Sequence, residues 1–265
     1  MFIELPNPFR LLLVLLLKLL FRGDYWRYYM FFFIRRSWLY RLRGVRLAPD
    51  GNIFILRSGG DLGILEHIYI DEDYDRLCRP HRGWIVIDIG AHVGLYALKA
   101  ARTVGKSGLV VAIEPDPENF RILKWNIRIN RLRNVIPLRV AVADFNGYAK
   151  LYIDKIGKGG GSIISRVSDE FIEVICLTLD RLLEYLRLRN VDLIKIDVQG
   201  AEYMVLKGAR NCLKSRLPRL IIEFHSRDLR QKCSSLLMTA SYKAYECEEY
   251  GSGIVLFAHK HEDYE

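Results

Sequence analysis

The sequence predicts an α/β fold in which a mostly parallel central sheet carries helices on both faces and ends in a C-terminal antiparallel hairpin. Three observations point there. Apolar, β-branched runs alternate with helix-forming segments from Trp84 onward, the pattern of parallel strands joined by crossover helices. The first run, Trp84-Ile85-Val86-Ile87-Asp88-Ile89-Gly90-Ala91-His92-Val93-Gly94, passes through a glycine turn directly into a helical segment. Acidic side chains then recur at successive strand ends, the edge where an open α/β sheet holds its ligand.

The chain has 265 residues and a formal net charge of +9, with 51% hydrophobic and 27% charged residues. That is an ordinary globular composition. The charge is uneven: residues 1–46 hold nine Lys or Arg against Glu4 and Asp24, whereas the rest is nearly balanced. A near-neutral body argues against a globally basic nucleic-acid binder. The five cysteines, Cys78, Cys176, Cys212, Cys233 and Cys247, include no C-x-x-C pair, so reduced, mostly buried thiols are expected.

Residues 1–48 read as a basic, aromatic-rich helical arm. Residues 9–21 are apolar except at Arg10 and Lys18, but such a helix is only about 20 Å long, short of a bilayer core about 30 Å thick. Arg22-Gly23-Asp24 and Arg27 separate it from a second apolar cluster ending at Ile34, so one spanning helix is not expected. No small-x-small cleavage site follows the apolar run, as a secretory signal requires. Contact with a membrane surface through residues 9–34 is the expectation, beside an arm packed on the domain or on a second subunit.

Residues 49–82 form a small extension. A strand over residues 50–57 is broken by Gly59-Gly60-Asp61, and a helical stretch runs on through Leu65 and Tyr74. The main domain occupies 83–265. Leu95–Val104 is its first helix and Leu109–Glu114 its second strand. In Glu114-Pro115-Asp116-Pro117, Asp116 is placed as N-cap and Pro117 at the first helical position, before Phe120, Leu123 and Ile127 on one face. A third strand, Val135–Val142, delivers Asp144. Extended runs at 148–154 and 171–177 flank the loop Gly157-Lys158-Gly159-Gly160-Gly161-Ser162, which lacks P-loop spacing and reads as a flexible lid. Thr178–Leu188 is a helix and Val191–Asp197 the fourth strand; the next helix carries Leu206, Ala209 and Leu213 on one face. Arg219–His225 is a fifth strand, a last helix bears Leu229, Cys233 and Leu237, and Tyr242–Ala258 is a hairpin turned at 250–253.

The turn pattern is D-x-G-A-x-x-G, and Asp88 stands where a dinucleotide fingerprint has Gly. A carboxylate there suits an ammonium or sulfonium better than a pyrophosphate. Glu114, 26 residues later at the next strand end, is placed to accept both hydroxyls of a ribose, and Asp144 to take an adenine amine. A cationic centre, a ribose and an adenine together describe S-adenosylmethionine.

On these residues the chain resembles the FkbM-type family of S-adenosylmethionine-dependent methyltransferases. The resemblance covers about residues 60–260 and rests on Val86–Gly94, Glu114-Pro115, Ala141-Val142-Ala143-Asp144 and above all Ile194-Lys195-Ile196-Asp197-Val198-Gln199-Gly200-Ala201-Glu202. It implies a Rossmann-like class I methyltransferase fold over 83–265. Cofactor contacts are expected at Asp88, Gly90, Ala91, Gly94, Glu114, Pro115 and Asp144. It also implies O-methylation of a hydroxyl on a small molecule, sugar or lipid-linked glycan. The family usually carries Glu where this chain has Gln199, so that position supplies no carboxylate.

An alcohol needs a base before it attacks. Asp197 and His225 are the first candidates, with Glu202 next and Lys195 as charge partner or acceptor orienter; His92 reads as packing. No metal is assigned from the sequence. Two other readings stay open: a tRNA or rRNA methyltransferase, opposed by the neutral body, and a membrane-tethered binding protein of the same fold, which Gln199 would favour. The expected location is cytoplasmic, peripheral on the inner membrane face.

Overall fold

The computed structural model describes residues 44–56, 59–153, 161–164, 170–245 and 253–259. The apolar arm at 9–34, residues 154–160 of the glycine loop, and Cys247 lie outside the described residues.

A short hairpin, β1 (Gly44–Leu47) and β2 (Ile53–Leu56), opens the described fold. Its first strand falls within the stretch read as arm. Helix α1 (Gly59–Glu66) follows and passes into one wide turn over His67–Asp71. Gly59-Gly60-Asp61 therefore opens a helix rather than only breaking a strand, and the helical stretch stops short of Tyr74. Asp61 is fully buried in the first turn of α1, where the helix dipole favours an acid.

Next come β3 (Ile85–Ile89), α2 (Leu95–Val104), β4 (Leu109–Ile113) and α3 (Pro117–Ile129). The α3 start matches its sequence signal: the Asp116 carboxylate accepts from the N–H groups of Glu118 and Asn119, with Pro117 at the first position. The expected third strand is divided. β5 (Val135–Leu138) belongs to the main sheet, whereas β6 (Ala141–Val142) joins a second sheet with β7 (Gly147–Tyr152) and β8 (Phe171–Leu177). The chain leaves the main sheet at Arg139, so Asp144 does not end a main-sheet strand.

Helix α4 (Leu179–Tyr185) is capped by the Thr178 hydroxyl and leads to β9 (Leu193–Ile196). The helix expected beyond Glu202 is two, α5 (Glu202–Lys207) and α6 (Arg210–Ser215). They part at Gly208, where a Cβ would lie 2.0 Å from the Ala143 carbonyl oxygen; the small sheet packs directly on this bare backbone. Strand β10 (Arg219–Glu223), helix α7 (Arg227–Thr239), capped by Ser226, and the antiparallel pair β11 (Tyr242–Tyr245) and β12 (Ile254–His259) complete the fold.

The main sheet has the order β11–β12–β10–β9–β3–β4–β5, and β12 runs against its neighbours. Strand alternation splits the core. Val86, Val110 and Ala112 pack with Leu98 and Leu123 on one face, and Ile87, Ile89, Val111 and Ile113 with Leu182 and Leu206 on the other. Phe54, Leu65, Ile68 and Tyr69 join the first of these clusters, so the 49–82 extension shares a core with the sheet. Cys78, Cys176, Cys212 and Cys233 are free and buried, as expected for the thiols described.

Candidate active site

The chain runs from β3 outward to β4 and β5, then returns across β3 to β9 and continues outward to β10. A crevice therefore opens where β3 and β9 end side by side. A Cβ on Gly90, at φ +83°, would lie 1.8 Å from the Asp197 carbonyl oxygen. Glycine is needed there for both conformation and space. Gly94, at φ +93°, stands behind the turn, where a Cβ would meet Leu123 Cδ1 at 2.5 Å. It lets α3 close on the turn rather than lining the crevice.

A cavity of about 360 Å³ sits over this junction, within the usual range of about 300–1,000 Å³ for small-molecule sites. Gly90 and Ala91 line it beside Glu114, Pro115, Lys195 and Asp197. The turn is tied down by Gly90 N–H and Ala91 N–H to the Ile113 carbonyl, at 3.0 and 2.9 Å.

Glu114 is buried and accepts from His92 N–H at 2.8 Å, Asp116 N–H at 2.9 Å and Asn119 Nδ2 at 3.3 Å. Burial pushes its carboxyl up to about 7, against the pull of the Asp116 and His92 amides. The backbone of His92 thus holds Glu114, while its ring approaches Asp61 at 3.7 Å.

Asp88 is fully buried and does not line the cavity. It acts through Lys195, whose Nζ lies 3.3 Å from Asp88 Oδ1 and 3.3 Å from Asp197 Oδ2, and donates to the Gly90 carbonyl at 3.1 Å. Burial opposes the ammonium, but Asp88, Asp197 and Glu223 together raise the Lys195 pKa above the ordinary lysine value. Lys195 is therefore a charged tie between the two strand ends. Asp144 is also absent from the cavity wall, and its carboxylate pairs with Lys207.

Around β9 and β10 the charges crowd. His225 Nδ1 contacts Glu202 Oε1 at 2.8 Å, and its Nε2 lies 3.6 Å from Asp197 Oδ1. Burial lowers the His225 pKa, but Glu202, Asp197 and Glu223 outweigh it and raise the value. Glu202 is fully buried, also accepting Gly200 N–H at 2.9 Å; it orients His225 from behind. Glu223, which sequence reasoning passed over, lines the cavity and accepts Tyr74 Oη at 2.6 Å. Its position at the end of β10, two residues before His225, was the available signal. Burial and the neighbouring Asp197 raise the Glu223 pKa. Asp197, Glu223 and His225 bring one ligand atom each within 4.8 Å of one another, a set of two oxygens and a nitrogen that could hold a divalent ion.

The extension supplies a wall that sequence reasoning also missed: Ile64, His67, Ile68, Asp73 and Tyr74 line the cavity. Gly161 and Ile163 line it as well, and Ser162 Oγ donates to the Gln199 carbonyl at 2.7 Å.

The model of the methyltransferase FkbM domain matches residues 88–252, more than half of the chain. The chain belongs to this family. Residues 88–252 are thus an S-adenosylmethionine-dependent methyltransferase domain. The FkbM domain begins at Asp88 and takes in each strand end described above.

Among curated relatives, the chain is 29% identical over 142 residues to the hexuronic acid methyltransferase AglP of Haloferax volcanii, covering 54% of this chain and 56% of that one. It is 28% identical over 177 residues to methyltransferase sdnD of Sordaria araneosa, covering 55% and 67%. The chain thus matches little more than half the length of AglP. The FkbM methyltransferase of Methylobacillus flagellatus KT shares the fold, with a TM-score of 0.51 and 17% identity, over 74% of this chain and 48% of that one.

Proposed function

We propose that this chain is an O-methyltransferase for a sugar hydroxyl, of the uronic-acid or glycan class. The supporting observation is the paired arrangement of Asp197 and His225 beside the Gly90 turn, with Glu202 fixed on the far side of the imidazole. The hexuronic acid specificity of AglP supports the acceptor class.

The residues fit S-adenosylmethionine. Gly90 and Ala91 line the cavity at the turn, and Gly90 lies too close to the Asp197 backbone to carry a Cβ. Glu114 sits at the cavity wall to accept a diol, and Pro115 and Ile113 supply apolar surface beside it. When bound, the cofactor supplies an electrophilic methyl group on a sulfonium. Asp197 accepts the hydrogen bond of the acceptor hydroxyl and relays its one proton to His225 Nε2, 3.6 Å from Asp197 Oδ1, as the oxygen forms its new bond. Glu202 holds the Nδ1–H tautomer, leaving Nε2 on the side of Asp197, which lines the cavity although His225 itself does not. Lys195, 3.3 Å from Asp197 Oδ2, holds that carboxylate in place. Most of the acceleration then comes from positioning and electrostatics.

Among the described residues no helix is long and apolar enough to cross a membrane. We place the enzyme in the cytoplasm, peripheral on the inner membrane face through residues 9–34, where a lipid-linked glycan would be accessible.

The test is transfer of isotopically labelled methyl from S-adenosylmethionine to uronic-acid-containing glycans, read by mass spectrometry. A methyl increment on the sugar that Asp197→Asn abolishes, with S-adenosylhomocysteine still bound, is the expected result. Methylation of RNA or protein in place of glycan would overturn the acceptor assignment.

A further inference from the structure

The outer face of α3 differs from its inner one in more than polarity. Asn119, Ile122, Leu123, Asn126 and Ile127 are buried against the fold. The exposed side chains are Arg121, Lys124, Trp125, Arg128 and Ile129, and exposed Arg131 and Arg133 extend the same run beyond the helix. Five cations thus surround two large apolar groups, Trp125 at 45% and Ile129 at 39% exposure. Glu118 is the one acidic side chain exposed on α3.

We propose that this face docks on an anionic lipid surface. Scattered exposed apolar residues need no explanation, but Trp and an aliphatic chain ringed by Lys and Arg is the composition of a surface lying in a headgroup layer. Each cation near an anionic bilayer contributes about 1 kcal/mol, so the five give the charge complementarity that a neutral surface would not reward. Single-stranded nucleic acid would use the cations but needs free aromatic faces for stacking. Here the Arg121 guanidinium already lies 5.2 Å over the Trp125 ring, and Ile129 has no face to offer. The insertion of an indole edge and an aliphatic chain into acyl boundary uses both.

The geometry has a further consequence for the site. α3 starts at Pro117, directly after Glu114 and Pro115 of the cavity wall. A 13-residue helix is about 20 Å long, so a bilayer on this face lies within one helix length of the cavity. This docking does not depend on which acceptor is methylated, nor on residues 9–34.

The experiment uses the full chain with vesicles of equimolar phosphatidylcholine and phosphatidylglycerol, and of phosphatidylcholine alone. The triple variant Arg121→Glu/Arg128→Glu/Arg133→Glu is expected to bind the anionic vesicles at least about a hundredfold more weakly, the factor for three lost cations at about 1 kcal/mol each before the repulsion of three added carboxylates. S-adenosylhomocysteine binding should be unchanged, which verifies the fold. If charge reversal unfolds the chain, the same positions are changed to Gln. In parallel, brominated lipid should quench the wild type more than Trp125→Phe. Equal vesicle binding by the charge variant, or equal quenching of Trp125→Phe, overturns the proposal. So does a variant that loses bulk RNA binding while keeping vesicle binding.

Discussion

The two halves of the cavity handle charge in opposite ways. Around the end of β4, Glu114 is held in place by donors from His92, Asp116 and Asn119. Across the crevice, Asp197, Glu223 and His225 face one another with Lys195 as their shared cation. The first half is held by donors from its own turn and helix start. The second is crowded with titratable groups, among which Glu223 and His225 are raised in pKa by their neighbours, the condition in which a proton can be exchanged. On the proposed function, binding and chemistry fall on opposite sides of the crevice, and variants on the two sides should separate them.

The largest effect is expected at the seam that joins the halves. Gly90→Ala forces a Cβ against the Asp197 backbone at a positive φ, and neither neighbour is a flexible side chain that can move away. A loss of about 3 kcal/mol of stability should appear as a lower Tm, together with loss of the thermal shift produced by S-adenosylhomocysteine. Near-wild-type melting and binding would show that the strand ends can part.

The chemical half comes next. His225→Ala should lower kcat by roughly 10²–10⁴ while S-adenosylhomocysteine affinity holds, as measured by calorimetry. Because Glu202, Asp197 and Glu223 raise the His225 pKa, the base is protonated at acid pH and the rate should climb as pH rises above the ordinary histidine value near 6.5. Glu202→Gln removes one of the charges supporting the imidazolium, so the ascending limb should move to lower pH. A limb that stays in place would assign the base elsewhere.

In the binding half, Glu114 has a pKa of about 7. Below that pH it carries a proton and accepts one hydrogen bond fewer. S-adenosylhomocysteine affinity should therefore fall as pH drops through about 7, and Glu114→Gln should bind weakly with a flat profile. The smallest effect is expected for Asp144→Ala. Its partly exposed pair with Lys207 is worth at most about 1 kcal/mol, so affinity should change by about fivefold or less. A much larger loss would return Asp144 to the cofactor side of the comparison.

The same division explains what the sequence disclosed. The binding half is local: a strand, a glycine turn and a capped helix occupy contiguous residues, so Gly90, Glu114 and the Asp116–Pro117 helix start were legible from spacing. The chemical half is tertiary. Glu223 and Tyr74 meet across 149 positions, and the sequence shows neither this pairing nor the wall that residues 64–74 provide. The break after Leu138 was hidden because Val140 to Val142 continues the apolar pattern, yet the chain changes sheets there. Asp144 was placed by assuming one strand where packing makes two. The sequence offers Glu202 as a candidate base, but its full burial behind His225 gives it a positioning geometry instead.

The hairpin at the start of the described fold is held in an unusual manner. Asn126 Oδ1 accepts the Ile55 N–H at 2.7 Å, and Asn130 accepts from and donates to the backbone of Ile53 at 2.8 and 2.6 Å. Four helical residues rise about 6 Å, close to the roughly 6.6 Å between alternate residues of a strand. Two side-chain amides, one on α3 and one at its C-terminal cap, thereby imitate a neighbouring strand and cap the open edge of β2. A slip of one residue would break these bonds together, so the place where the chain enters the fold is locked in register to α3.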